Sequence, residues 1–215
     1  KGNFPVADGK SFWFWRKNHA LKFGSDELGF PLVVKPRGGS VARHVTTNIR
    51  SGDELLKAIN KAVIYSPAFV VERFVEDSFV YRATVVDFDF VAVVKQIPAN
   101  VVGDGVLTIQ QLMEKKNGDK RRGEPNQKDF TLYKLVIDET TEKLLAEKDY
   151  NLETVLKKDE IVYLQKNPLL KLGGDLVEVT DTVHPDNIQL FKDIAKFFDI
   201  RLVGIDFLVP DISSS

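Results

Sequence analysis

Gly29-Phe30-Pro31-Leu32-Val33-Val34-Lys35-Pro36-Arg37-Gly38-Gly39-Ser40 is the stretch from which the rest of the chain can be read. Phe30 to Val34 is a short apolar run with two adjacent valines, the pattern of a buried strand. It runs into a lysine, a proline and two glycines. Pro36 has no N–H and ends the ladder. Gly38 and Gly39 allow backbone angles and close approaches that other residues resist. A lysine at a strand end before a flexible loop suits phosphate, because the ammonium is a point charge and the loop offers backbone N–H groups. A surface lysine before an ordinary turn explains this stretch equally well, so the rest of the chain has to arbitrate.

The 215 residues suffice for one large domain or two intimate lobes with a real core. A formal net charge of −1 gives no electrostatic footprint for nucleic acid or an anionic membrane. No apolar run approaches the roughly 18 residues of a membrane span. The sequence holds no cysteine, which removes thiol nucleophiles and thiolate metal sites and agrees with a reducing, cytoplasmic setting. His19, His44 and His184 are far apart in sequence. Any metal is therefore expected to be a hard ion held by carboxylates and phosphate oxygens. Nothing here requires or excludes a homo-oligomer. Both ends read as cut, with Phe4-Pro5-Val6 already extended in character and Ser213-Ser214-Ser215 following a strand at once.

Working outward, Phe12-Trp13-Phe14-Trp15 fits either a strand or a helix start, and Asn18 to Leu28 fits a short helix ending at Gly29. Val45 to Ile49 reads as a strand. Ser51 with Glu54 predicts a capping box, opening a helix whose buried face is Leu55, Leu56, Ile59, Ala62 and Val63. Ala68 to Val75 is a further strand. Arg82 to Val94 folds back at Asp87-Phe88-Asp89 as a hairpin. Thr108 with Gln111 predicts a second capping box. Lys115 to Lys128, with Lys120-Arg121-Arg122-Gly123, reads as a mobile, solvated loop. Phe130 to Ile137 fits either a strand or a helix. Thr140 to Glu147 and Leu152 to Lys157 look helical, and Ile161 to Leu164 looks extended. His184-Pro185 opens a helix with Ile188, Phe191, Ile194, Ala195 and Phe198 as its buried face. Leu202 to Val209 is a last core strand holding one acid, Asp206. Strands and helices alternate early and a hairpin sits in the middle, which favours α+β over a doubly wound parallel sheet.

Three features fit one site: Lys35 with its loop, Glu72 followed by Arg73-Phe74-Val75, and Asp206. A carboxylate inside an apolar strand is costly unless it is paired or holds a metal. Arg82, opening the hairpin, suits bidentate contact with phosphate. Each residue has a plain alternative: a strand-end charge for Glu72, a salt bridge for Asp206, a paired surface arginine for Arg82. Other templates fail. The chain has no G-x-G-x-x-G, no Walker loop, no kinase H-R-D or D-F-G pair and no nucleophile elbow.

Taken in order, a set of phrases carries a family resemblance. They are Gly29 to Pro36, Val45 to Ile49, Val71-Glu72-Arg73-Phe74-Val75, Tyr81-Arg82 and Pro98-Ala99-Asn100-Val101-Val102-Gly103-Asp104-Gly105. After them come Arg121-Arg122-Gly123, Gly173-Gly174-Asp175, Val179-Thr180-Asp181, Val183-His184-Pro185-Asp186-Asn187 and Gly204-Ile205-Asp206-Phe207. The chain resembles the ATP-grasp ligase superfamily, and within it the ATP-grasp domain of cyanophycin synthetases and related glutathione-synthetase-like ligases.

The resemblance implies an α+β ATP-grasp fold of two lobes with ATP between them. Residues 1–78 would form the N-terminal part with the lid lobe and glycine-rich loop. Residues 79–215 would form the C-terminal lobe, which reads as truncated at its end. It implies a Mg²⁺-dependent carboxylate–amine ligase acting on small-molecule or peptide-like substrates through an acyl phosphate. A non-catalytic nucleotide-binding module is the alternative. Lys35 would reach the phosphates, and Gly38, Gly39, Ser40 and Arg43 would lie in the loop closing over them. Glu72, with the backbone at Phe74 and Val75, would hold the adenine end. Arg82 would face the phosphates as a catalytic cation and Asp206 would ligate Mg²⁺. Lys95 would be a second catalytic cation, beside Gln96 where the family carries arginine. The sequence departs from the family at Ala42 and His44 in the loop, and at Leu169 and Lys171 before the second glycine pair. The family's acid after Val75 has no clear match among Asp77, Ser78 and Phe79. The family also has a lysine upstream of residue 1 and further metal ligands beyond residue 215.

Overall fold

A computed structural model describes residues 4–38 and 44–215. The chain divides into two compact units, Lys1–Glu76 and Asp77–Ser215.

In the first unit, β1 (Gly9–Trp13) is followed by a 3-10 turn at Phe14–Arg16, by α1 (Lys17–Lys22) and by a π-helical turn at Phe23–Leu28. The aromatic run is thus strand and helix start in turn. The helical stretch stops at Gly29, which has a positive φ. Glycine adopts such left-handed angles without the Cβ penalty of other residues. β2 (Leu32–Pro36), β3 (Thr46–Ile49), α2 (Gly52–Tyr65) and β4 (Ala68–Arg73) complete the unit. The strands form an antiparallel sheet in the order β1-β4-β2-β3. Leu32, Val34, Phe69 and Val71 pack with Leu55, Ala58, Ile59 and Ala62 of α2 to form its core.

Two local expectations need correction here. Only half the capping box forms: Ser51 accepts from the Glu54 N–H, but Glu54 reaches one residue further back, to the Arg50 N–H. Leu56, one step round the helix from Leu55, turns off the buried face. It is exposed, while Ala58 takes the place in the core.

In the second unit, β5 (Phe79–Val86) and β6 (Phe90–Ile97) are the expected hairpin, turning through Asp87 and Phe88 at positive φ, as tight hairpin turns require. β7 (Asn100–Val102), α3 (Ile109–Asn117), β8 (Arg122–Gly123), β9 (Leu132–Tyr133), α4 (Glu139–Ala146) and β10 (Ile161–Tyr163) follow. The capping box at Thr108 and Gln111 is complete. β11 (Asp175–Glu178), α5 (Pro185–Phe197) and β12 (Leu202–Val209) close the chain. The main sheet has the antiparallel order β11-β6-β5-β12. Tyr81, Ala83, Val85, Val91 and Val93 pack on Phe191 and Ala195 of α5. A second core joins Ala99, Val101, Ile109, Leu112, Leu145 and Leu164.

Three expectations fail in this unit. Leu152 to Lys157 is not helical; it is turn and extended chain, with Val155 bridging Thr108. Phe198 follows the end of α5 and is 61% exposed. Lys115 to Lys128 is not a solvated loop throughout. Its first three residues belong to the last turn of α3, and the Arg122 side chain is only 1% exposed.

Candidate active site

The expected site residues fall into two clusters, one in each unit. In the first unit, β2 pairs with β4 so that Lys35 stands opposite Val70 and Val33 opposite Glu72. Alternation then puts Lys35 and Glu72 on the same face, away from α2, as diagonal neighbours. The Lys35 Nζ donates to the Glu72 Oε1 at 2.6 Å. The lysine side chain is 42% exposed and the glutamate 20%, so the ammonium still reaches solvent. Glu72 is inside the strand, not at its end. Gly9 of β1 lies directly across from it, and a Cβ there would stand 2.6 Å from the Glu72 Cβ. The chain after β4 is pinned by the Phe74 N–H, which donates to the Pro31 carbonyl. Gly38 follows β2 as an exposed bend; Gly39, Ser40 and Arg43 lie outside the described residues.

In the second unit, Arg82 of β5 stands opposite both Val94 of β6 and Asp206 of β12. Its Nη1 donates to the Asp206 Oδ1 at 2.8 Å. Asp206 is not buried as expected. Its side chain is 56% exposed and that of Arg82 48%, because their sheet face is the one turned away from α5. Gly204 makes room for the pair: a Cβ there would stand 2.5 Å from the Arg82 Nη2 and 2.8 Å from its Cζ. The guanidinium therefore lies flat over bare backbone.

Lys95 does not join them. It is opposite Tyr81 and so projects on the α5 side of the sheet, with its Nζ 3.3 Å from the centre of the Phe79 ring and 5.7 Å from that of Tyr81. One position of strand register decides this. Gln96 falls on the Arg82 face and Lys95 on the other.

A third cluster was not anticipated. The Asp175 carboxylate at the start of β11 accepts from Lys116 at 2.6 Å, from the Asn100 amide at 3.2 Å and from Arg122. Lys116 also donates to the Asn100 carbonyl, and Arg122 to the carbonyls of Tyr133 and Gly173. Burial pushes the Lys116 ammonium below the ordinary lysine range, and Asp175 pulls it the other way. The cluster ties β7, α3, β8, β9 and the Gly173 turn to the edge of the main sheet. Lys116 and Arg122 looked solvated because the polar run around them masks the two residues that turn inward.

Among the described residues no three acidic, histidine or cysteine side chains gather as a ready-made metal cage. Asp206 offers one exposed carboxylate, which suits Mg²⁺ held largely by phosphate oxygens and water.

The chain is 39% identical over 191 residues to the cyanophycin synthetase of Synechocystis sp., covering 88% of this chain and 22% of that protein. It is 31% identical over 213 residues to the glutathione biosynthesis bifunctional protein of Streptococcus mutans, covering 98% of this chain and 28% of that protein. The crystal structure of a bifunctional glutathione synthetase from Pasteurella multocida superposes with a TM-score of 0.70, at 26% identity, over 98% of this chain and 28% of that one. The chain belongs to the ATP-grasp superfamily. No protein-family model matches it. It spans between 22% and 28% of the length of these ATP-grasp relatives. No helix among the described residues is long and apolar enough to cross a membrane.

Proposed function

We propose that this chain is the nucleotide-handling part of an ATP- and Mg²⁺-dependent ligase that joins a carboxylate to an amine, with small-molecule or peptide-like substrates. One observation carries the reading: two surface cation–carboxylate pairs, Lys35–Glu72 and Arg82–Asp206, occur in a chain similar to cyanophycin and glutathione synthetases over nearly its whole length. In this reading Lys35 meets the phosphates of ATP, the segment containing Gly38, Gly39, Ser40 and Arg43 covers them, and Glu72 with the Phe74–Val75 backbone takes the adenine end. Arg82 neutralises phosphate charge and Asp206 supplies a carboxylate for Mg²⁺. Bound there, the ion would screen the phosphates and polarise the transferred group.

The substrate carboxylate attacks the γ-phosphorus and ADP leaves, forming an acyl phosphate. The amine then attacks the acyl carbon, phosphate departs, and a proton is lost from nitrogen. Such chemistry asks the protein chiefly for positioning and charge stabilisation. Both pairs are pre-formed, and each cation exchanges its carboxylate partner for phosphate oxygens at little cost because both are part-exposed. Lys95 is left out of the proposed set by its sheet face. A cytoplasmic location fits the demand for ATP.

Mg-ADP at about 100 times its dissociation constant should stabilise the protein by roughly 2.7 kcal/mol. For this size that raises the melting temperature by roughly 5–10 °C. The shift should vanish in Lys35→Ala, and a full-length protein should release phosphate in the presence of a carboxylate and amine pair. A full-length protein that neither responds to Mg-ADP nor releases phosphate across a broad amino-acid panel would overturn the proposal.

A further inference from the structure

The first unit has a concavity on the side of its sheet away from Lys35. Val34 packs towards α2 and Lys35 points the other way, because successive strand residues alternate between faces. Any groove between β3 and α2 is therefore separate from the Lys35–Glu72 pair. Such a groove is present, with a volume of about 410 Å³. β3 lines it through Thr46, Asn48 and Ile49, and α2 through Glu54, Lys57, Ala58 and Lys61. Thr46 stands opposite Val34 and so shares its α2-facing side.

The two lysines are four residues apart on one helix, a spacing at which like charges repel. Among the described residues neither has a hydrogen-bond or ion-pair partner, whereas Lys17 nearby bonds Asn60. Asp53 sits four residues before Lys57, the favourable spacing for an ion pair, yet the pair is not made. The Thr46 hydroxyl and the Asn48 carboxamide across from them are likewise unengaged. Glu54 is the one carboxylate in the lining. Its Oε2 accepts the Arg50 N–H at 2.8 Å, at the head of the helix. The lining keeps a net positive charge.

We propose that this groove binds the phosphate group of a small organic phosphate, at a site distinct from the nucleotide site. Two ammonium groups at one helical turn match a dianion better than a single carboxylate. The hydroxyl and the carboxamide supply neutral donors to its remaining oxygens. The apolar floor of Ile49 and Ala58 accepts the carbon portion. An added peptide strand fits less well. β3 is a short edge strand with a bulge in its pairing to β2 and Asn48 at positive φ. Such features blunt an edge against strand addition.

The test is an amide chemical-shift titration of the ¹⁵N-labelled chain with inorganic phosphate and with glycerol phosphate, at constant ionic strength made up with chloride. The expected result is saturable shifts centred on Thr46, Asn48, Lys57 and Lys61. They should persist in Lys35→Ala and weaken at least about tenfold in the double variant Lys57→Gln/Lys61→Gln. Glycerol phosphate should add shifts at Ile49 and Ala58. Shifts absent from the groove, linear without saturation, or unchanged in the double variant would overturn the proposal. So would shifts abolished by Lys35→Ala, which would place the phosphate at the nucleotide site. Equal binding of succinate would overturn the assignment to phosphate.

Discussion

Asp175→Asn separates the residues that hold the second unit together from those proposed for chemistry. The carboxamide keeps the volume and one acceptor oxygen but removes the charge faced by both Lys116 and Arg122. The Arg122 side chain is 1% exposed and cannot be rehydrated in place; that of Lys116 is 25% exposed and can turn partly to water. Breaking a buried ion pair by removing one partner costs about 3–5 kcal/mol. Arg122 retains its bonds to the Tyr133 and Gly173 carbonyls. That puts the expectation near the lower end, about 3 kcal/mol. It corresponds to a fall of about 6–12 °C in Tm.

Urea unfolding gives the assay a built-in control. Both tryptophans, Trp13 and Trp15, lie in the first unit, so their fluorescence follows that unit while circular dichroism follows both. The loss should appear in the circular dichroism transition and largely spare the fluorescence one. Asp206→Asn is the contrasting variant. Its pair with Arg82 is about half exposed. Losing it should cost less than about 1 kcal/mol while lowering the response to Mg-ADP. A loss below about 1 kcal/mol in Asp175→Asn would refute the reasoning, because it would mean that the cluster is solvated after all.

Gly204→Ala should push the Arg82 guanidinium off Asp206 while changing stability little, since the displaced group is the end of an exposed, flexible side chain; a Mg-ADP melting shift equal to that of the parent would count against the seat described here. Asp119 is held down to about 2, first by the side-chain hydrogen bond from Arg121 and then by its backbone N–H. Its folded value lies below its ordinary 3.8, so its contribution is full above that ordinary value and is lost as pH falls through the folded one. Asp119→Asn should flatten that part of the acid stability profile, measured by urea unfolding from mildly acidic pH down to about pH 2. Ser51→Ala removes the acceptor for the Glu54 N–H at the head of α2. It should cost about 1 kcal/mol, visible in the fluorescence transition of the first unit.

Much of this protein was readable from local pattern. The strand before Lys35, the hairpin around Asp87, the caps at Ser51 and Thr108, and the helix opened by His184-Pro185 depend on neighbours within a few residues. Turn chemistry and periodicity therefore report them directly. Lys35, Glu72, Arg82 and Asp206 were found as candidates for the same reason, each standing in a recognisable phrase. Partnership is a different matter. That Lys35 bonds Glu72 and Arg82 bonds Asp206 follows from which strands pair and in what register, between residues remote in sequence. One step of register put Lys95 on the other face of the sheet, and a sheet face turned away from α5 left Asp206 exposed where its apolar neighbours had implied burial. Arg122 and Lys116 belong to a polar run that composition assigns to solvent. The approach of Asp175, far along the chain, together with the carbonyls of Asn100, Tyr133 and Gly173, turns them inward, and its opposite charge is what makes their burial tolerable.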